Sequence, residues 1–144
     1  MRSWLLSLAL LLAACSPAAP PGNSLRLDEL RGQWVVINYW AIWCKPCAQE
    51  IPELNALARL PGITVLGVNY DAAGGDELDR QVQKLGIAFP TLDTDPAAAL
   101  GVARPVVLPT SLVIDPDGQL RETLVGPQSL QTLAQATQQQ PPES

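Results

Sequence analysis

Trp34 to Trp40 is a continuous β-rich run, Trp-Val-Val-Ile-Asn-Tyr-Trp, interrupted by one polar residue. A short apolar run without alternation predicts a central strand buried on both faces. The period then changes. Ile51, Leu54, Leu57 and Ala58 share one helical face, predicting a helix that begins around Cys44 to Pro46 and ends near Leu60. Pro46 suits a first turn, where its missing N–H costs nothing. Pro52 is expected to kink this helix, and Pro61-Gly62 to stop it. Ile63 to Asn69 reads as a second buried strand, followed by a loop over Asp71 to Gly75. Asp76 to Leu85 is amphipathic, with Leu78, Val82 and Leu85 on its apolar face and Gly86 at its end. Asp93 to Leu100 predicts a short helix. Thr110 to Ile114 and Gln119 to Val125 form a hairpin around the turn Asp115-Pro116-Asp117-Gly118. Ser129 to about Thr137 closes the pattern as a helix with Leu130 and Leu133 inward, and Gln138 to Ser144 reads as a frayed, disordered tail. Ahead of the first long strand, Leu25-Arg26-Leu27 alternates as a short edge strand, and Asp28 to Gln33 reads as a turn or short helical stretch.

The order β-α-β-α, hairpin, α implies an α/β fold: a mixed central sheet with helices on both faces and a C-terminal β-hairpin plus helix. The domain is expected over residues 25–137, with one modest core.

The first residues follow a different logic. Arg2 precedes an apolar run from Trp4 to Ala14. Such a run suits a signal-peptide core and is too short for a membrane-spanning helix, which needs about 20 residues. A buried N-terminal helix is the alternative. Leu12-Ala13-Ala14-Cys15 resembles a bacterial lipobox, which implies a lipoprotein signal over 1–14 and a lipidated Cys15 at the mature N-terminus. An ordinary signal peptide cleaved near the same alanines is the rival reading. Ser16 after the cysteine resembles an outer-membrane address. Residues 16–24, rich in Pro, Ala and Gly, read as a flexible tether, so the domain is expected on the periplasmic side of the envelope, anchored to the membrane by lipid.

Composition removes several classes of function. The formal net charge is −5 with no basic patch, which argues against nucleic acid as a partner. The chain has no histidine, so Cys–His and Ser–His catalysis and histidine-based metal sites are excluded. Of its 3 cysteines, Cys15 is taken by the lipid reading, leaving the pair in Trp43-Cys44-Lys45-Pro46-Cys47. Two cysteines at that spacing on a helix's first turn can close a small disulfide ring. The first lies where unpaired N–H groups and the helix dipole stabilise an anion, which lowers a thiol's pKa and raises its reactivity. Lys45 adds a positive neighbour. Cys44 is then the attacking nucleophile, and the deeper Cys47 resolves the mixed disulfide. A zinc ribbon would need a second ligand pair that this chain lacks. A purely structural disulfide is the blander alternative.

Asn38-Tyr39-Trp40-Ala41-Ile42-Trp43-Cys44-Lys45-Pro46-Cys47-Ala48-Gln49-Glu50-Ile51-Pro52 resembles the active-site stretch of the TlpA/ResA-like branch of the thioredoxin superfamily. The likeness runs from about Leu25 to Ala136 and includes Phe89-Pro90-Thr91 and Leu108-Pro109-Thr110. It implies a thioredoxin fold and a membrane-tethered reductase of extracytoplasmic protein disulfides, serving cytochrome c maturation or copper-protein assembly. It also implies a membrane electron donor of the DsbD/CcdA type. By resemblance, Pro109 is a cis-proline facing the cysteine pair. It would expose the backbone of Leu108 for β-like pairing with a substrate chain. Glu50 matches the family's active-site acid, placed to exchange a proton with Cys47. Asn38 stands where cytoplasmic thioredoxins carry a buried Asp, and an amide cannot relay a proton as a carboxylate does. Trp43 is expected to pack beside the pair and shape the docking surface, and Trp40 to be core. No cofactor or metal is expected.

Two other readings use the same fold. A copper-binding metallochaperone would exploit the thiolates, but the chain has no His and its only Met is Met1. A peroxiredoxin-type peroxidase would need a Pro-x-x-x-Thr/Ser-x-x-Cys setting, which neither Cys44 nor Cys47 has.

Overall fold

Trp34–Trp40 forms strand β1, in which Val36, Ile37, Tyr39 and Trp40 are fully buried. The structure, a computed structural model, describes residues 27–140. After β1 come α1 (Lys45–Leu57), β2 (Ile63–Asn69), α2 (Gly75–Leu85), β3 (Thr110–Ile114), β4 (Leu120–Val125) and α3 (Leu130–Ala136). The sheet order is β2-β1-β3-β4. β1 and β2 run parallel, pairing Trp34 with Ile63 through Trp40 with Asn69. β3 is antiparallel to β1, and β4 to β3. This is the predicted mixed sheet, with β1 interior and the hairpin closing one side.

Alternation along β1 sorts its side chains between two cores. Val36 and Trp40 join Ile51, Leu54, Leu57, Ile63, Val65 and Leu133 on one face. The apolar residues of all three α-helices pack here, including Leu78, Val82 and Leu85 of α2 and Leu130 of α3. Val35, Ile37 and Tyr39 join Leu66, Val68, Leu112 and Ile114 on the other. That second face is covered by Leu30, on a 3-10 helix spanning Leu27–Leu30, and by Leu92, Leu100, Val102 and Leu108 from the long connection before β3.

The predicted helix over Asp93 to Leu100 is a set of turns instead. Leu100 N–H reaches Pro96 O, but Gly101 and Val102 bond Ala98 O and Ala97 O in a closing turn. Pro96 biases Asp95 away from helical geometry. The Asp95 carboxylate takes the Ala97 N–H (2.9 Å), and Gly101 adopts φ +67°. Leu27 opens the 3-10 helix rather than ending a strand, and Leu25 and Arg26 lie outside the described residues. Helix α1 continues through Pro52 but stops at Leu57, because Arg59 and Leu60 tighten to Ala56 O and Leu57 O. In the expected tail, Gln139 N–H bonds Ala134 O at 2.7 Å, so the chain folds back on α3 there. Residues 141–144 and the signal, Cys15 and tether over 1–24 lie outside the described residues.

The hairpin turn is held by one side chain. Asp115 Oδ1 accepts the N–H groups of Asp117 (3.0 Å) and Gln119 (2.9 Å). The Arg31 guanidinium reaches the Asp117 carbonyl at 2.9 Å, tying the turn to the start of the domain.

Gly67 in β2 is needed for close approach. Its N–H bonds Pro90 O at 2.7 Å and its carbonyl takes the Leu92 N–H at 2.8 Å, so the 89–92 segment lies against it. A Cβ there would stand 2.8 Å from Trp40 Nε1 and 3.0 Å from Thr91 Oγ1. Gly67→Ala is therefore expected to destabilise the fold by about 1–3 kcal/mol, the cost of overpacking a filled core. Urea unfolding measures it, and an unchanged midpoint at unchanged slope would contradict this packing.

Candidate active site

The site is built where β1 runs into α1. β1 delivers the chain to Ala41, whose carbonyl accepts the Cys44 N–H at 3.1 Å and closes the intervening turn. Cys44 then caps α1 with extended backbone (φ −84°, ψ 99°), and Pro46 occupies the first turn as predicted. The Cys44 Sγ accepts the Cys47 N–H at 3.2 Å, a donor that a helix start leaves unpaired. The two sulfurs are joined in a disulfide, with Cα atoms 5.3 Å apart. Cys44 is 5% exposed and Cys47 1%, so any attack from solvent reaches Cys44 first.

The pair rests in the helix-side core with Trp40, Ile51 and Phe89. Leu108 packs against the same cluster, and the Leu108–Pro109 peptide bond is cis, the geometry the resemblance implies. The loop is pinned on both sides: Gly126 N–H bonds Pro109 O at 2.9 Å and Thr110 Oγ1 donates to Val107 O at 2.7 Å. Trp43 does not enter this core. It is 63% exposed, and its Nε1 donates to Asp71 Oδ2 at 2.8 Å. In the segment before Pro109, Val106 is 86% exposed, and a groove of about 360 Å³ lies between Val102, Arg104, Val107 and the Thr123–Val125 stretch of β4.

Beneath the disulfide, Glu50 lies one turn along α1 from Cys47 on the buried face, itself 1% exposed. Its Oε2 accepts Asn38 Nδ2 (3.0 Å) and its Oε1 accepts the Gln128 backbone N–H (3.1 Å). Asn38 Nδ2 also donates to Ser111 Oγ (3.0 Å), while Asn38 Oδ1 is buried without a partner. Burial pushes the Glu50 carboxyl from its ordinary 4.5 up to about 7, and the Gln128 and Asn38 hydrogen bonds resist only part of this. A carboxyl so placed is neutral or ionised according to small changes in surroundings, which suits proton exchange near neutrality.

Glu53, a further turn along α1 from Glu50, accepts the Leu130 N–H at 2.7 Å, so both acids of α1 grip the chain entering α3. On the opposite sheet face, Arg104 lies 3.8 Å over the Tyr70 ring and donates to Asp95 Oδ2 (2.8 Å), while Tyr39 OH donates to Asp95 Oδ1 (2.7 Å). Burial pushes Asp95 up, but the Ala97, Tyr39 and Arg104 bonds outweigh it and hold the carboxyl below its ordinary range. Burial first, and Asp95 second, push the Tyr39 phenol far up. This cluster fastens the 95–104 turns to the sheet.

Cys44 and Cys47 thus stand at one helix start, with Glu50 a turn along α1 and Leu108, joined to Pro109 by the cis bond, packed on the same cluster. Ser111 and the Gln128 N–H are the site groups that sequence reasoning missed. Ser111 follows Leu108-Pro109-Thr110 directly, and that position could have flagged it. A backbone N–H carries no such mark. Among the described residues, no group of three or more His, Cys, Asp or Glu side chains could hold a metal ion, and no helix is long and apolar enough to cross a membrane.

Comparison with known proteins agrees with this geometry. The chain is 34% identical over 116 residues to the thiol-disulfide oxidoreductase ResA of Bacillus thuringiensis (strain Al Hakam), covering 78% of this chain and 66% of that protein. It is 33% identical over 119 residues to the thiol:disulfide interchange protein DsbE of Allochromatium vinosum, covering 82% and 65%. It therefore spans just under two thirds of the length of these curated relatives. Among solved structures, a secreted thiol-disulfide isomerase from Corynebacterium glutamicum superposes with a TM-score of 0.64 at 27% identity, covering 77% of this chain and 72% of that one. A DsbF homologue from Corynebacterium diphtheriae gives 0.65 at 25% identity, covering 76% and 73%. With a family profile matching residues 14–123, the chain belongs to the AhpC/TSA family, in the TlpA/ResA-like group of the thioredoxin fold.

Proposed function

We propose that this protein is an extracytoplasmic thiol–disulfide oxidoreductase that reduces protein disulfides through Cys44 and Cys47. The observation that carries the reading is the Cys44–Cys47 disulfide at the start of α1, with the Cys47 N–H aimed at Cys44 Sγ. In the reduced protein that N–H meets a Cys44 thiolate, so the start of the helix stabilises the reactive form. The thiolate attacks a substrate disulfide, a mixed disulfide forms, and one substrate thiolate leaves. Cys47 then loses its proton to Glu50 and attacks Cys44 Sγ. The second substrate thiolate departs, and the Cys44–Cys47 disulfide has taken up the oxidation. The substrate chain lies in extended form across the Leu108–Pro109 loop, with exposed Trp43 and Val106 flanking it.

The same reading includes a lipid anchor at Cys15, a periplasmic-side location, re-reduction by a membrane donor of the DsbD/CcdA type, and a place in cytochrome c maturation or a similar pathway. It is supported by the lipobox-like Leu12-Ala13-Ala14-Cys15 and by the ResA and DsbE names of the relatives. The test is direct. The reduced full chain, mixed with a protein disulfide such as insulin, should reduce it while forming its own Cys44–Cys47 disulfide one for one, read by intact mass. Oxidised chain should do nothing until a dithiol is added. A reduced chain that leaves the disulfide intact over hours refutes the exchange reading.

A further inference from the structure

We propose that Asn38 is a positioning residue for Glu50, an amide that turns over with the Glu50 proton and so keeps the buried acid hydrogen-bonded in both of its protonation states. The inference rests on the exchange reading above and goes one step further into the site. In the orientation observed, Asn38 gives both N–H bonds away, one to Glu50 Oε2 and one to Ser111 Oγ, each at 3.0 Å. Its Oδ1 is buried and has no partner. This arrangement fits an ionised Glu50, which only accepts.

A neutral Glu50 carries an O–H that needs an acceptor. Rotating the Asn38 amide by half a turn brings Oδ1 to the position of Nδ2. Oδ1 then accepts the Glu50 O–H and, once the Ser111 hydroxyl has rotated, the Ser111 O–H as well. Each orientation makes two hydrogen bonds and leaves one amide atom unpaired. The amide has little preference of its own, and the proton on Glu50 decides between the two. No other residue type does this at the same size. Leucine bonds neither form, and an ionised aspartate cannot donate to a carboxylate. The sequence difference that looks like a lost proton relay is then a way of letting Glu50 change charge without stranding a buried group.

The surroundings keep this reading simple. On α1 the titratable neighbours of Glu50 are Cys47 one turn before and Glu53 one turn after, and the Glu53 carboxylate is bonded to the Leu130 N–H. From β1 and the approach to α3, Glu50 meets Asn38 and the Gln128 N–H, and behind Asn38 stands Ser111 of β3, none of them charged. In the reaction, the proton leaves the Cys47 thiol for the Glu50 carboxylate as Cys47 attacks Cys44 Sγ. The Asn38 amide turns, and the proton passes to the substrate thiolate that departs. The two electrons lost as the Cys44 and Cys47 sulfurs join go to the substrate disulfide, which leaves as two thiolates: the second takes the Glu50 proton, and the first takes one from water.

The test uses the reduced full chain labelled with 15N in asparagine and 13C in glutamate. The Asn38 side-chain nitrogen should move with pH along the same curve as the Glu50 carboxyl carbon, and the Asn38 resonance should go flat in Glu50→Gln. An Asn38 nitrogen that stays flat through the Glu50 titration overturns the inference. Asn38→Leu removes the bond to each form, and because the charge-assisted bond to the ionised carboxylate is the stronger, the pH midpoint of the Cys47 step should move upward. An unmoved midpoint in a folded Asn38→Leu protein also overturns it. The two readings fail separately. If Glu50→Gln leaves the pH profile of the Cys47 step as in wild type, the Glu50 role in exchange falls, whatever the labelled amide does.

Discussion

Cys44→Ser is expected to abolish disulfide exchange, and Cys47→Ser to arrest it halfway. Both variants lose the same ring, closed over a sequence separation of 3. By chain entropy that ring restrains the unfolded protein by about 2 kcal/mol, a loss common to both variants. Their difference is therefore chemical. Cys44 is the more accessible sulfur and receives the Cys47 N–H, so it is the group that attacks. A serine hydroxyl stays protonated at neutral pH and forms no mixed disulfide, so turnover should fall by about 10³-fold or more. In Cys47→Ser, Cys44 still attacks but nothing behind it can displace the substrate. An adduct at Cys44 should accumulate and survive to mass analysis. Cys44→Ser should show no adduct under the same conditions. Adducts on Cys47 in the Cys44→Ser protein would reverse the assigned roles.

Much of the fold could be read from the chain. Strands β1, β2 and β3 match their predicted bounds because each is buried along almost its whole length and reads as a short β-rich run without alternation. The hairpin was legible because Asp115 supplies the turn chemistry itself. Helix α2 ends at Gly86 as expected, with the left-handed backbone (φ 67°) that glycine adopts freely. The reading failed where a side chain contact at long range overrides local preference. Asp95 looks like a helix-starting acid, yet its carboxylate is claimed by Tyr39 and Arg104, and the segment stays in turns.

The site divides in the same way. Cys44 and Cys47 follow from spacing and helix-start physics alone, and the structure places them as that argument requires. The cis bond before Pro109 followed from resemblance, since nothing in an isolated Leu-Pro pair distinguishes it. The environment of Glu50 was the least legible. Its partners Asn38 and Gln128, and the Ser111 that Asn38 bonds in turn, come from three separate parts of the chain, and the Asn38–Ser111 contact alone spans 73 positions. A glutamate on a helix is usually solvated. Only the packing of α1 on the sheet and α3 turns this one into a buried acid.

That burial gives the second large expectation: Glu50→Gln should make the protein more stable at alkaline pH. In the fold the carboxyl is raised from 4.5 to about 7, so the folded chain holds this proton more tightly than the unfolded chain does. The favourable contribution is complete below about pH 4.5 and is lost as pH rises through about 7. Above that range the fold carries a buried carboxylate whose cost approaches about 3 kcal/mol. Glutamine has the same shape and no charge. Its carbonyl can accept the Gln128 N–H, and its NH2 can donate to Asn38 Oδ1 once that amide has turned over. Wild type and variant should therefore unfold at similar urea concentrations near pH 4. They should diverge through pH 5 to 7, with the variant ahead by up to about 3 kcal/mol at pH 8. The same variant should be slow in the Cys47 step, because it has lost the group that takes the thiol proton. Stability gained with activity lost, over one pH window, is the signature of an acid buried for its chemistry. Equal stabilities at pH 8 would mean that the fold carries the Glu50 charge without penalty, and the proton-exchange role would lose its physical basis.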